Sequence, residues 1–350
     1  GNVRRDHRAG VVRMDAGAWK KFEPFSDTIA REQIDPYLAF RIINVLYNYA
    51  AHMKLYERNL ETYRRRVVLD NASFGGCMNC HNYYQHGTER MVLQVRSRLK
   101  EYGHGMVFIK DGAVIKIDAR TEADRRLAAL TAWHPSGRLL AFSTNKFRQF
   151  FHCTRTEARE AVDLDSDLSV FQFDEMKGVR VPALSDPDYL ESWPEWCPDG
   201  RYLYFCRAPV LWSDRDEVPP ENYEKCRYDL VRIRYDVETG RWGSLETVLS
   251  ADRTGMSVSQ PRFSPDGRFL VFCMSDHSTF GTHQPDTDLY LMDMRTGKYH
   301  RMECNSDRTE SWHSWSTNGR WLAFASKRGD GLFMNCLLYT SDAADELDGV

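Results

Sequence analysis

Four times along the chain, an aromatic residue is followed by a short polar turn, a glycine, an arginine and alternating apolar residues. The copies are Trp133–Phe142 (WHPSGRLLAF), Trp196–Phe205 (WCPDGRYLYF), Phe263–Phe272 (FSPDGRFLVF) and Trp315–Phe324 (WSTNGRWLAF). Pro, Asp or Asn ahead of Gly supplies the fixed and positive φ of a tight hairpin. The alternation that follows has the period of a half-buried strand. Further strand pairs lie at Met106–Thr121, Asp167–Asp174, Tyr228–Trp242 and Asp288–Met302. Copies recur roughly every 50–70 residues, the spacing of four-stranded blades with loop insertions. The expected fold is mainly β, a β-propeller of which four blades are visible. Arg138, Arg201, Arg268 and Arg320 share one repeat position, so a role in the turn is their expected function.

Composition narrows the function classes. Hydrophobic residues make up 42% of the 350 and aromatics 13%, enough for a sizeable core. With 47 basic against 50 acidic residues, the net charge of −3 argues against nucleic acid or an anionic membrane as partner. No stretch approaches the ~20 apolar residues of a membrane-spanning helix. The chain starts at Gly1 rather than Met, so an export signal is expected to be missing from this fragment.

The repeat resembles that of TolB-type, WD-like propellers; Phe263–Phe272 and Asp288–Gly297 carry it almost position for position. The resemblance implies six or more blades, so the ring is expected to be cut short. Blades are assigned to residues 104–335. Residues 336–350 begin CLLYTS, which TGTCTCTTATACACATCT encodes, as in a transposon-based sequencing adaptor. That tail is expected to be read-through rather than native chain.

Residues 1–103 lack the repeat and read as a small helical segment. Leu38, Ile42, Val45, Leu46 and Tyr49 recur at three- and four-residue steps, and Met91, Val95, Leu99 and Tyr102 stripe a second expected helix over 89–102. Between them lies Cys77-Met-Asn-Cys80-His81, the Cys-x-x-Cys-His spacing that attaches haem c. In that reading Cys77 and Cys80 bind the vinyl groups covalently and His81 ligates the iron. Met91, His86, His104 or an external ligand takes the far side. A metal or redox pair, or chance proximity, is the competing reading. Structural zinc lacks a second ligand pair, and a thioredoxin-like pair lacks its βαβ setting. The other cysteines, such as Cys206 and Cys273, replace apolar residues in strand-like runs and are expected to be buried thiols.

Ile34–Arg41, Asn79–His81 with Met91, Trp133–Gly137, Ala141–Lys146 and Gln149–His152 together resemble a family of bacterial exported TolB-like proteins with an N-terminal Cys-x-x-Cys-His. That resemblance implies periplasm or cell surface, and a redox or protein partner on the propeller face. No Gly-x-Ser-x-Gly elbow, His-Glu-x-x-His helix or phosphate loop occurs. Asp163, Asp165 and Asp167 read as strand-entry residues rather than a calcium loop. Trp312, Trp315 and Trp321 read as blade core. The expected function is electron transfer or redox-linked binding through one haem. The alternative is a non-enzymatic scaffold for protein or glycan with a structural cysteine pair.

Overall fold

The computed structural model describes residues 6–9, 12–15, 18–21, 25–28, 32–43, 52–97, 104–121, 123–153, 157 and 159–340. Six antiparallel sheets follow one another as six blades. Blade 1 comprises Tyr37–Ile42, Lys54–Asn59 and Arg65–Asp70; blade 2 comprises Cys77–Tyr83, Arg90–Arg96, His104–Lys110 and Ala113–Ile117. Blade 3 holds Ala128–Trp133, Leu139–Phe151, Arg159–Gln172 and Lys177–Arg180, and blade 4 holds Tyr189–Trp196, Tyr202–Pro209, Asp229–Asp236 and Arg241–Leu249. Blade 5 is Ser257–Phe263, Phe269–Ser275, Asp288–Asp293 and Tyr299–Arg301; blade 6 is Glu310–Trp315, Trp321–Ser326 and Asn335–Thr340. Four further strands, between residues 6 and 28, pair as two small ribbons.

Two expectations fall here. The blades number six, not four, with three or four strands each. The helical N-terminal segment is absent: among the described residues the only α-helix is the single turn Ala251–Thr254. Tyr37–Ile42 and Arg90–Arg96, both expected to be helical, are strands. A blade is packed on both faces by its neighbours, so Met91, Val92, Leu93 and Gln94 are all buried and the period-2 signal is erased. Parts of both expected helices (residues 44–51 and 98–103) lie outside the described residues. So do 341–350 of the suspected read-through; Asn335–Thr340, which includes its first residues, pairs with Trp321–Ser326.

The repeat residues stitch blade to blade. Trp133 Nε1 donates to Asn82 O at 3.2 Å, from blade 3 to blade 2, and Trp315 Nε1 donates to Arg262 O at 3.2 Å, from blade 6 to blade 5. At Trp133 and Trp315 one side chain both fills the core and carries a donor at its tip, whereas Phe263 fills the core alone. Blade 1 meets blade 6 through Asp35, whose Oδ2 accepts from Thr317 N at 2.8 Å, and meets blade 2 through Arg41, which donates to Met78 O at 2.7 Å. Among the described residues no helix is long and apolar enough to cross a membrane.

Candidate functional site

Cys77–His81 is not a loop between helices; it lies in the first strand of blade 2, next to the ring axis. That strand carries a β-bulge between Asn79 and Asn82, with Cys80 at φ 37°. The first strands of blades 4, 5 and 6 bulge at the same place, with Trp193, Gln260 and Trp312 at φ 54°, 54° and 53°. Each of these residues stands three positions before Tyr83, Trp196, Phe263 or Trp315. The register then pairs Tyr83 with Met91 as it pairs Trp196 with Leu203, Phe263 with Leu270 and Trp315 with Leu322. The cysteine motif is therefore a diverged fifth copy of the repeat. Met91 holds its leucine position and is 3% exposed.

Haem c would need both sulphurs on one edge of the macrocycle, with His81 and the far ligand on opposite faces. Cys77 packs on the core shared by blades 1 and 2, whereas Cys80 packs against the central apolar cluster. The half-buried His81 ring is hydrogen-bonded to the Ala39 backbone, and burial together with the Arg41 charge lowers its pKa to about 4. Met91 is enclosed by Met53, Leu55, Phe74, Met78 and Leu93. His86 is exposed in the turn beyond the strand, and the His104 backbone pairs with Arg96, across the sheet from Cys77. As folded, these residues do not fit the group. His313 of blade 6 shows what the position does: its buried ring donates from Nε2 to Val271 O at 3.1 Å in the neighbouring blade.

A different constellation forms on the face opposite the repeat turns. The second and third strands of blade 3 run past their sheet as an arm, with pairing resumed from Phe147 opposite Asp163 to Phe151 opposite Arg159. The arm lies across its neighbours. Trp212 Nε1 of blade 4 donates to Leu164 O at 3.0 Å, Ser278 Oγ of blade 5 donates to Ala161 O at 3.1 Å, and Lys327 of blade 6 pairs with Glu157. Phe147 packs on Phe280 with ring centroids 4.2 Å apart.

On this arm, Glu160 (2% exposed) accepts from Gln284 Nε2 at 2.5 Å, and His277 and His152 face it. His283 Nε2 lies 3.5 Å from the Gln149 amide; burial, aided by the Arg159 and Lys327 charges, holds its pKa down at about 3. Thr282 receives Trp312 Nε1 at 2.7 Å, Trp312 N donates to Gln260 Oε1 at 2.7 Å, and the Trp312 ring meets Trp193 edge-on. Trp315 is core as expected, but Trp312 is 38% exposed. Among the described residues, His152 Nε2, His283 Nδ1, Gln260 Nε2 and Ser311 Oγ have no hydrogen-bond partner. The aspartate trio is structural: Asp165 and Asp167 grip Arg126 at 2.8 and 2.5 Å, and Asp163 takes the Asn145 amide.

Of the expected site residues, the structure brings Cys77, Cys80 and His81 together on one strand. The second cluster was not foreseen. Its members are spread from Gln149 to Trp312; the sequence singles out only the Gln149–His152 stretch, through a family resemblance, and Trp312, as blade core.

No known family profile matches the chain. The uncharacterized protein Atu1656 of Agrobacterium fabrum is 26% identical over 196 residues, covering 50% of this chain and 63% of that protein. The uncharacterized peptidase YuxL of Bacillus subtilis is 24% identical over 173 residues, covering 46% of this chain and 23% of that protein. The chain thus spans less than two thirds of the length of either relative. The solved structure of TolB from Acinetobacter baumannii superposes with a TM-score of 0.55 at 12% identity, over 96% of this chain and 77% of that one. Over that span the chain is similar in fold to the TolB β-propeller.

Proposed function

We propose that the protein is a binding propeller that takes a polar ligand, of glycan type, beneath the arm of blade 3. The observation that carries this reading is the half-exposed Trp312 ring beside buried polar groups left without protein partners, His283 Nδ1 and Gln260 Nε2 foremost. An unmet buried donor or acceptor costs about 1–3 kcal/mol, so such groups call for solvent or a ligand to satisfy them. An indole face offers the apolar platform on which a sugar ring stacks, while imidazoles and amides take its hydroxyls. No acyl-transfer or phosphoryl-transfer machinery is needed for this, and the relatives' names add none that can be placed on these residues.

The test is quenching of tryptophan fluorescence across a panel of neutral and acidic oligosaccharides. Saturable quenching that disappears in Trp312→Ala supports the reading. Absence of saturable quenching by every member of the panel, or quenching that survives Trp312→Ala, overturns it. On the resemblance to exported propellers, the proposed location is the periplasm or cell surface.

A further inference from the structure

Asp163 stands where the arm leaves its sheet. The second and third strands of blade 3 change register between Asn145 and Phe147, and Asp163 lies opposite Phe147 where pairing resumes. Its side chain is buried, at 1% exposed for the residue. One carboxylate oxygen, Oδ2, accepts from the Asn145 amide; the other, Oδ1, has no hydrogen-bond partner among the described residues. Beside it lies a cavity of about 10 Å³, room for a single water. Trp212, Tyr223, Cys226 and Tyr228 of blade 4 and Ser278 of blade 5 line it. The same stretch seats the arm on those two blades, through Ser278 Oγ on Ala161 O and Trp212 Nε1 on Leu164 O.

A buried carboxylate is tolerated when donors and a cation surround it. This one has a single neutral amide in contact. Arg126 draws on it from a distance, but that guanidinium is already gripped by Asp124, Asp165 and Asp167. Across the cavity, burial pushes Cys226 up to about 12 and Tyr228 well above its usual range, so both stay uncharged near neutral pH. Burial likewise pushes the Asp163 carboxyl up to about 7, against the pull of the Asn145 amide, the Ser166 hydroxyl and the Arg126 charge, while Asp165 adds to the rise.

We propose that Asp163 is a proton-operated joint: neutral, it lets the root of the arm seat on blades 4 and 5, and ionised, it loosens that seat so that water reaches the carboxylate. The sign follows from linkage. A carboxyl raised from 3.8 to about 7 by folding stabilises the seated form fully below pH 3.8, and that contribution declines as pH rises to about 7. A second source of pH dependence sits on the same arm. Against the cost of burial, Glu160 and Asp276 raise the pKa of His277, so their pairing weakens as pH rises above 6.5. The joint does not depend on the glycan reading, because it concerns the arm rather than what lies beneath it.

Cys226 reports on the joint, since it lines the cavity and is 3% exposed. The test alkylates the native full chain with iodoacetamide between pH 5.5 and 8 and reads Cys226 by peptide mass. Each rate is divided by that of the same cysteine in the urea-unfolded chain, which removes the pH dependence of the thiolate itself. The ratio should rise roughly 30-fold over this range and level off above about pH 7. Cys206 and Cys273, buried within blades 4 and 5, should stay flat and so exclude global unfolding. Asp163→Asn should hold the ratio low at every pH. Asn145→Ala, which removes the carboxylate's donor, should move the plateau to higher pH and decides the matter if Asp163→Asn fails to fold. His277→Gln should leave the rise in place. A flat wild-type ratio overturns the proposal. So does a rise that survives Asp163→Asn, one that disappears in His277→Gln, one that Asn145→Ala leaves unmoved, or one that Cys206 and Cys273 share.

Discussion

Blade 5 and blade 2 are built on the same plan and advertise it very differently. Blade 5 spells out Phe263-Ser-Pro-Asp-Gly267-Arg, and its turn glycine stands at φ 71°. Blade 2 has Tyr83-Tyr-Gln-His-Gly87-Thr-Glu-Arg in that place, one residue longer before the leucine-equivalent Met91, with Gly87 at φ −83°. Here the left-handed turns are made by Gln85 and His86 instead, at φ 49° and 59°. The difference teaches that the inner-strand register is what the propeller needs, and that the turn sequence is one of several ways to reach it.

The strongest test of that equivalence lies in the core. Met91→Ala and Leu270→Ala should each cost about 2–5 kcal/mol in denaturant unfolding, because both empty the same interblade position. Met91→Leu should cost less than ~1.5 kcal/mol. Had Met91 been an iron ligand, Met91→Leu would instead alter a haem spectrum. A denaturing gel with a haem-stained band that Cys77→Ala removes would restore the cytochrome reading.

The turns should respond unequally. Gly267→Ala places a side chain in the left-handed region and should cost roughly 1–2 kcal/mol. Gly87→Ala should be close to neutral, since its φ is ordinary and the nearest atom to an added Cβ is 3.5 Å away. Equal losses at both sites would break the comparison.

The smallest expected effect is in pH dependence. Burial lowers the pKa of His313 to about 3 from 6.5, and the nearby Arg262 charge adds to it. A folded-state pKa below the unfolded one means the unfolded chain takes up the proton first. The stability this group leaves intact above pH 6.5 is therefore lost progressively as pH falls toward 3. His313→Gln should flatten that part of the stability profile in denaturant melts. Burial raises the buried Glu191 to about 8, so it acts in the opposite sense, favouring the fold at low pH and losing that contribution as pH rises toward 8.

How much was legible follows from where the signal was local. Blades 3 to 6 could be read because aromatic, turn glycine, arginine and strand all fall within ten residues. Blade 2 could not, because its turn is one residue longer and has Tyr84-Gln85-His86 in place of the Pro-Asp signal. Its buried Met91–Gln94 run also has no alternation, so positions 91, 95, 99 and 102 passed for a helical stripe. Cys77-x-x-Cys80-His81 carried a strong covalent-haem signal. The spacing was real, but a bulged strand sends the two thiols into different cores. The Glu160 cluster had no local signature at all, since His152 and His277 meet only when blade 3 reaches over to blade 5.

That reach has a dynamic consequence. In a ring of blades most contacts join neighbours, which permits one blade to loosen without the rest. The arm breaks this pattern: Ala161 holds Ser278 and Glu157 holds Lys327, partners 117 and 170 residues apart. Amide hydrogens in blades 5 and 6 should thus exchange together with those of the arm rather than blade by blade. Any molecule that tightens the Glu160 cluster would slow exchange in strands it never touches.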